Sequence, residues 1–282
     1  MRRTPSSSGP WSVLQRADFA VRVAGLSAKR LVAWTMQRDR YPAPTRLAAG
    51  EAPHHVASVT IPRRASSFGP TLARGRWHNL GLAATALQGV GVTAERPFSF
   101  WRTIGRLTES RGYVEGAHFE GGCIVPAVGG GICSLSDALF DLALRSGCTI
   151  LERHGHTLSV DRGPGAPLRR RVDATVKWPY VDLRFAPPHG RLRLSSQVSA
   201  DGLTLSLHAD RLIETSTVLV SEPRVTEERG QRYAHTTITR RGPAHAPGLV
   251  TIGRDRKALI VHPTRNCDTC REHGCGRYRG PR

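Results

Sequence analysis

Three glycines in a row hand this chain to a cysteine, in Val128-Gly129-Gly130-Gly131-Ile132-Cys133. From that point Ile132, Leu135, Leu139 and Leu142 recur at helical spacing, with Ala138 and Ala143 beside them and Gly147 placed to end the run. The pattern puts Cys133 in the first turn of a helix, where unpaired N–H groups and the macrodipole favour negative charge. Consecutive glycines let a backbone come close to whatever it faces. By spacing alone the cysteine has two readings: a nucleophile, or a buried thiol after a packing turn.

The rest of the chain bounds that choice. Its 282 residues leave room for a substantial core, as one large domain or two. No apolar run approaches the roughly 18 residues needed to span a bilayer. Arg16, Asp18 and Arg22 interrupt the N-terminal apolar stretch, so no signal peptide and a cytoplasmic location are expected. The formal net charge of +19 invites a nucleic-acid partner. Yet the charge is almost all arginine, the lysines being Lys29, Lys177 and Lys257, and it is spread along the chain. A bias towards arginine codons gives the same totals, and no nucleic-acid module or aromatic ladder is recognisable.

In chain order, 13–38 reads as one long or two short helices broken near Gly25. Residues 43–76 read as loop-rich, with a strand near Val56–Ile61. A helix is expected to open at Trp77, with His78 and Asn79 as capping residues, followed by a short aromatic strand at 97–102. After the cysteine helix, 148–160 and 172–178 read as strands, and several alternating segments follow from Arg191 onward.

The chemistry lies in the order cysteine, histidine, acid. Cys133 opens the helix, His154 and His156 share one face of the next expected strand, and Asp173 sits on the strand after it. An imidazole can take the thiol proton, and a carboxylate can fix the imidazole tautomer. Either histidine could be the base, with His156 preferred, and each has the alternative of an ordinary strand histidine. Glu152 and Arg153 suit a structural ion pair or a grip on a substrate carboxylate. Backbone amides around Gly130, Gly131 and Ser134 are candidate oxyanion donors. Near the C-terminus, Cys267, Cys270, His273 and Cys275 offer four soft ligands at metal-clip spacing. Structural zinc fits them first, an iron–sulfur cluster less well, and no cofactor is expected for catalysis.

Five separated motifs, in order, resemble the VanW domain family: Phe98-Ser99-Phe100-Trp101-Arg102, Arg111-Gly112-Tyr113, Gly129-Gly130-Gly131-Ile132-Cys133, Glu152-Arg153-His154-Gly155-His156 and Asp173-Ala174-Thr175-Val176. The resemblance covers roughly 77–187. Some larger, cell-surface members act as L,D-transpeptidases that cross-link peptidoglycan through the cysteine of the glycine motif. The resemblance therefore implies Cys133 as nucleophile and His156 as partner base. It departs from the family pattern at Ser134, where glutamine is usual, and at Thr157.

The expectation is an α+β protein in four parts. These are a helical and loop-rich segment (1–76), a mixed core domain with the cysteine helix packed on a sheet (77–188), a β-rich extension (189–248) and a Cys-rich tail (249–282). The expected function is cysteine-dependent acyl transfer on a cell-wall-type peptide or another amino-acid-derived small molecule. A non-catalytic peptide or carboxylate binding module is the alternative, and a nucleic-acid binder with a zinc-like tail is the weaker one. Oligomeric state is not legible.

Overall fold

The computed structural model describes residues 13–63, 69–120, 123–160, 172–243 and 248–260. The architecture is α+β, with strands numbered here in chain order. An antiparallel five-stranded sheet has the order β1 (Thr45–Arg46), β3 (Val90–Val92), β10 (Leu192–Val198), β11 (Gly202–Ala209), β2 (His54–Pro62). Leu192, Leu194, Leu203, Leu205 and Leu207 alternate along the β10–β11 hairpin and are buried, the period-two signal of a one-sided core. Against this sheet pack α2 (Pro70–Leu87) and α4 (Cys133–Arg145). Helix α4 is buried around most of its circumference, so it runs through the core rather than over it. It ends as expected, with Gly147 at a positive φ of 70° just past the last turn.

A three-stranded sheet joins β4 (Phe98–Ser99), β9 (Arg184–Ala186) and β7 (Thr149–Glu152). A hairpin, β5 (Glu115–Glu120) with β6 (Cys123–Val128), leads into the glycine turn. A last sheet has the order β12 (Thr217–Val220), β14 (Gln231–Arg241), β15 (Leu249–Ile260), β8 (Leu158–Val160), with β13 (Arg224–Glu228) also paired to β14. The β8–β15 pairing is parallel and joins the C-terminal strands to the segment that carries the histidines. The boundary expected at 248 thus falls between two strands, β14 and β15, that pair along nearly their whole length.

Of the two readings of the N-terminal stretch, the single long helix holds: α1 (Val13–Met36) runs unbroken through Gly25, since a single glycine lowers helix stability without stopping a helix this long. Several expectations are corrected. Helix α2 begins at Pro70, not Trp77. Proline suits the first helical position, and Gly69 ahead of it has a positive φ. His78 and Asn79 are therefore mid-helix and cap nothing. The aromatic stretch is strand only for Phe98–Ser99. Ser99 then accepts from the Arg102 amide and starts a short helix, α3 (Phe100–Ile104). Residues 148–160 form two strands with a gap at 153–157, and 172–178 makes only an isolated bridge, Lys177 with Val181. Side chains supply hydrogen bonds that a ladder would otherwise provide at 173–174, and the Thr175 amide donates to the His154 carbonyl at 2.8 Å.

Candidate active site

The glycine turn is built for close approach of the protein to itself. Gly129 and Gly131 have positive φ of 76° and 98°, and a Cβ on Gly130 would overlap the carbonyl of Gly116 in β5. Asn79, wholly buried on α2, locks the turn in place. Its amide nitrogen donates to the carbonyls of Val114 (2.9 Å) and Gly130 (3.1 Å), and its oxygen accepts from the Val114 amide (2.9 Å). The turn delivers Cys133 to the first position of α4, half-buried, with Sγ 3.8 Å from the Thr175 hydroxyl. The other described cysteines, Cys123 and Cys148, are buried, and burial pushes the Cys148 thiol up to about 12.

His156 is the histidine that meets Cys133. Burial works against its positive charge. Hydrogen bonds to Asp173 and Cys133, and the charges on both, outweigh that and raise it to about 10. Its Nδ1 is hydrogen-bonded to Oδ1 of Asp173, which leaves Nε2 for the sulfur, and its backbone amide donates to Oδ2 at 2.9 Å. His154 is elsewhere: it is exposed, 3.3 Å from Glu152. The break in the strand between them is why two histidines at period two do not share a face.

Asp173 has no exposed side-chain surface, and Lys257 of β15 places its ammonium 2.6 Å from Oδ2. Burial opposes the carboxylate, but His156 and Lys257 together hold Asp173 well below the usual carboxylate range. The segment around Asp173 is held by side chains. Arg153 donates to the Asp173 carbonyl through Nε at 2.6 Å, Ser136 Oγ donates to the Ala174 carbonyl at 2.6 Å, and the Ala174 amide donates to Asp137 at 2.8 Å. Arg153 is engaged within the protein, forming a two-pronged pair with Asp255 of β15 at 2.5 and 2.6 Å. Glu152 does not pair with it either; it takes both arms of Arg30 from α1, at 2.9 and 2.6 Å. Ligand atoms of Asp137, His156 and Asp173 converge within 4.8 Å, a grouping that can hold a cation. Lys257 already supplies positive charge there, which favours an acid–base pair over a metal centre.

Of the expected oxyanion donors, the Gly130 amide is used within the turn, donating to Ala127 at 2.8 Å, and the Ser134 amide donates to Gly131 at 3.0 Å. The amides of Gly131 and Cys133 donate to no backbone carbonyl among the described residues. Cys267, Cys270, His273 and Cys275 lie outside the described residues.

Sequence reasoning missed the part played around this centre by several residues, among them Asn79, His118, Asp255 and Lys257. His118 on β5 is pushed down by burial first, with Glu120 opposing and the charges of Lys177 and His156 adding to the fall, so the hairpin lies within electrostatic reach of the dyad. A signal existed for Lys257, one of three lysines in a chain whose other basic residues are arginines. None existed for Asn79, whose role depends on where α2 begins.

Residues 75–208 match the family model described as VanW like protein. Over these residues the chain belongs to the VanW family. It is similar to "Uncharacterized protein YoaR" of Bacillus subtilis (strain 168), 38% identical over 131 residues, covering 46% of this chain and 41% of that protein. It is also similar to "Vancomycin B-type resistance protein VanW" of Enterococcus faecalis (strain ATCC 700802 / V583), 33% identical over 106 residues, 38% of each chain. The chain spans about two-fifths of the length of these curated relatives. No solved structure matches it. The VanW match takes in Cys133, His156 and Asp173 but stops short of Lys257 and Asp255. Among the described residues, no helix is long and apolar enough to cross a membrane.

Proposed function

We propose that this VanW-family protein is a cysteine-dependent acyl transferase acting on a peptide or another amino-acid-derived substrate. The observation that carries the reading is the chain of contacts from Cys133 through His156 to the buried Asp173. In the reactive form the Cys133 thiolate faces the His156 imidazolium. The sulfur attacks the substrate carbonyl and forms a C–S bond, while the amides of Cys133 and Gly131, which donate to no backbone carbonyl among the described residues, take the oxyanion. His156 Nε2 gives its proton to the leaving amine, the C–N bond breaks, and a thioester remains. An incoming amine, or water, then attacks the thioester and passes a proton to Nε2, which restores the starting pair. Asp173 stays ionised throughout and keeps Nδ1 protonated.

The test is thiol reactivity near neutral pH on the full chain, read by mass spectrometry. Cys133 is expected to react with iodoacetamide far faster than Cys123 and Cys148. It is also expected to accumulate a thioester with activated acyl esters, which Cys133→Ala abolishes. Equal reactivity of the three cysteines sinks the proposal. VanW is named for vancomycin resistance in its Enterococcus relative, which makes cell-wall-type peptides the first substrates to try.

A further inference from the structure

One cation next to the nucleophile has no assigned task. Arg76 lies on α2, and its stem packs on the glycine turn so closely that a Cβ on Gly131 would overlap it. Its Nη2 donates to the Ser134 hydroxyl at 3.0 Å, and Ser134 directly follows Cys133. Its guanidinium also lies beside the Trp77 ring, 5.1 Å from the centroid. A guanidinium carries five N–H donors in a planar fork. The other arginines near the site have their forks filled: Arg153 by Asp255 and Arg30 by Glu152. Arg76 pairs with no carboxylate among the described residues. Burial weakens its hold on its proton, and no negative charge offsets that effect.

A partly desolvated cation without a counter-ion is unfavourable, and the imbalance is relieved when an anion arrives. The positive end of α4 points into the same space, adding to the attraction. A planar carboxylate matches the free donors of the fork, and the Ser134 hydroxyl can donate alongside. We propose that Arg76 and Ser134 form the carboxylate-binding subsite for an amino-acid-derived substrate, holding a free carboxylate next to the carbonyl that Cys133 attacks. The position of the carbonyl rests on the acyl-transfer reading above. The carboxylate subsite itself does not.

Two measurements separate these claims. The first compares alkylation of Cys133 by iodoacetate, which carries a carboxylate, with alkylation by neutral iodoacetamide. Arg76→Met keeps the packed stem and removes the fork. It is expected to lower the iodoacetate-to-iodoacetamide rate ratio about tenfold, the scale of one charge-assisted hydrogen bond, and Arg76→Lys to recover part of it. An unchanged ratio in Arg76→Met overturns the subsite. The second uses Cys133→Ser and calorimetric titration with N-acetylalanine and its uncharged amide. Binding of the acid alone, lost in the double variant with Arg76→Met, supports the subsite even if the thiol proves inert, an outcome that would remove only the acyl-transfer reading. Equal binding of acid and amide overturns it.

Discussion

The ammonium of Lys257 lies 2.6 Å from the carboxylate of Asp173, the same group that holds His156 Nδ1. A strand outside the family match thus supplies a cation to the centre of the site. Beside it, the Asp255–Arg153 pair ties that strand to the carbonyl of Asp173. The parallel pairing of β15 with β8 sets the register that makes both contacts possible.

Removing that cation should be costly because Asp173 stays buried. Lys257→Met is expected to lower stability in urea by about 2 kcal/mol, with Lys257→Arg recovering part of it. The sign of the pH effect follows from the depressed value of Asp173. Stability from a carboxylate held below its ordinary 3.8 is present above that pH and lost as the pH falls through the folded value. Lys257→Met lessens the depression, so its acid unfolding should begin at a higher pH than that of the parent. Coincident acid transitions would show that Lys257 does not act on Asp173.

Glycine substitutions should divide sharply by location. A Cβ on Gly130 meets backbone that cannot rotate away, so Gly130→Ala should cost about 3 kcal/mol or more. Nothing lies within 4 Å of a Cβ on Gly25 in α1, so Gly25→Ala should raise stability by about 0.5–1 kcal/mol. Urea midpoints of the two variants check both signs.

Asn79 makes three hydrogen bonds while fully buried. Asn79→Ala leaves the Val114 and Gly130 groups without their partner and should cost about 2–3 kcal/mol. Because the same bonds hold the glycine turn, the alkylation rate of Cys133 should fall as well. A variant that loses stability but keeps the parent rate would separate Asn79 from the placement of the thiol.

What the sequence made legible was local. The cysteine helix, its glycine stop and the alternating strands after Arg191 are written in short-range periodicity and turn residues. The segments at 153–157 and 172–176 read as strand because their side chains alternate. In the fold they are held by Arg153, Ser136 and Asp137, and partners so distant in sequence leave no periodic trace. The cysteine–histidine–acid order was visible for the same reason that Lys257 and Arg76 were not. Motif residues cluster along the chain, whereas these two reach the site only through β15 and α2.

The cysteine-rich end carries an expectation of its own. Cys267, Cys270, His273 and Cys275 are a soft ligand set, and the full chain purified without chelator should hold on the order of one zinc. Removing residues 262–282 should abolish the metal while sparing Cys133 reactivity. Metal retained after truncation would place it elsewhere.

The two histidines should separate completely. His156→Asn removes the base and the imidazolium, and should slow alkylation of Cys133 about a hundredfold, the usual scale for a positioned acid–base group. His154→Asn, which alters an exposed ring paired with Glu152, should change the rate by less than about twofold. The pH dependence gives an independent sign. His156 is raised from its ordinary 6.5 to about 10, so the folded state binds this proton more tightly than the unfolded chain. The stability it contributes is therefore fully present below 6.5 and is lost as the pH rises through about 10. Urea titrations across that window should show the parent weakening while His156→Gln stays flatter. If the two curves run parallel, His156 is not held as the charged partner of Asp173 and Cys133, and the catalytic dyad loses its basis.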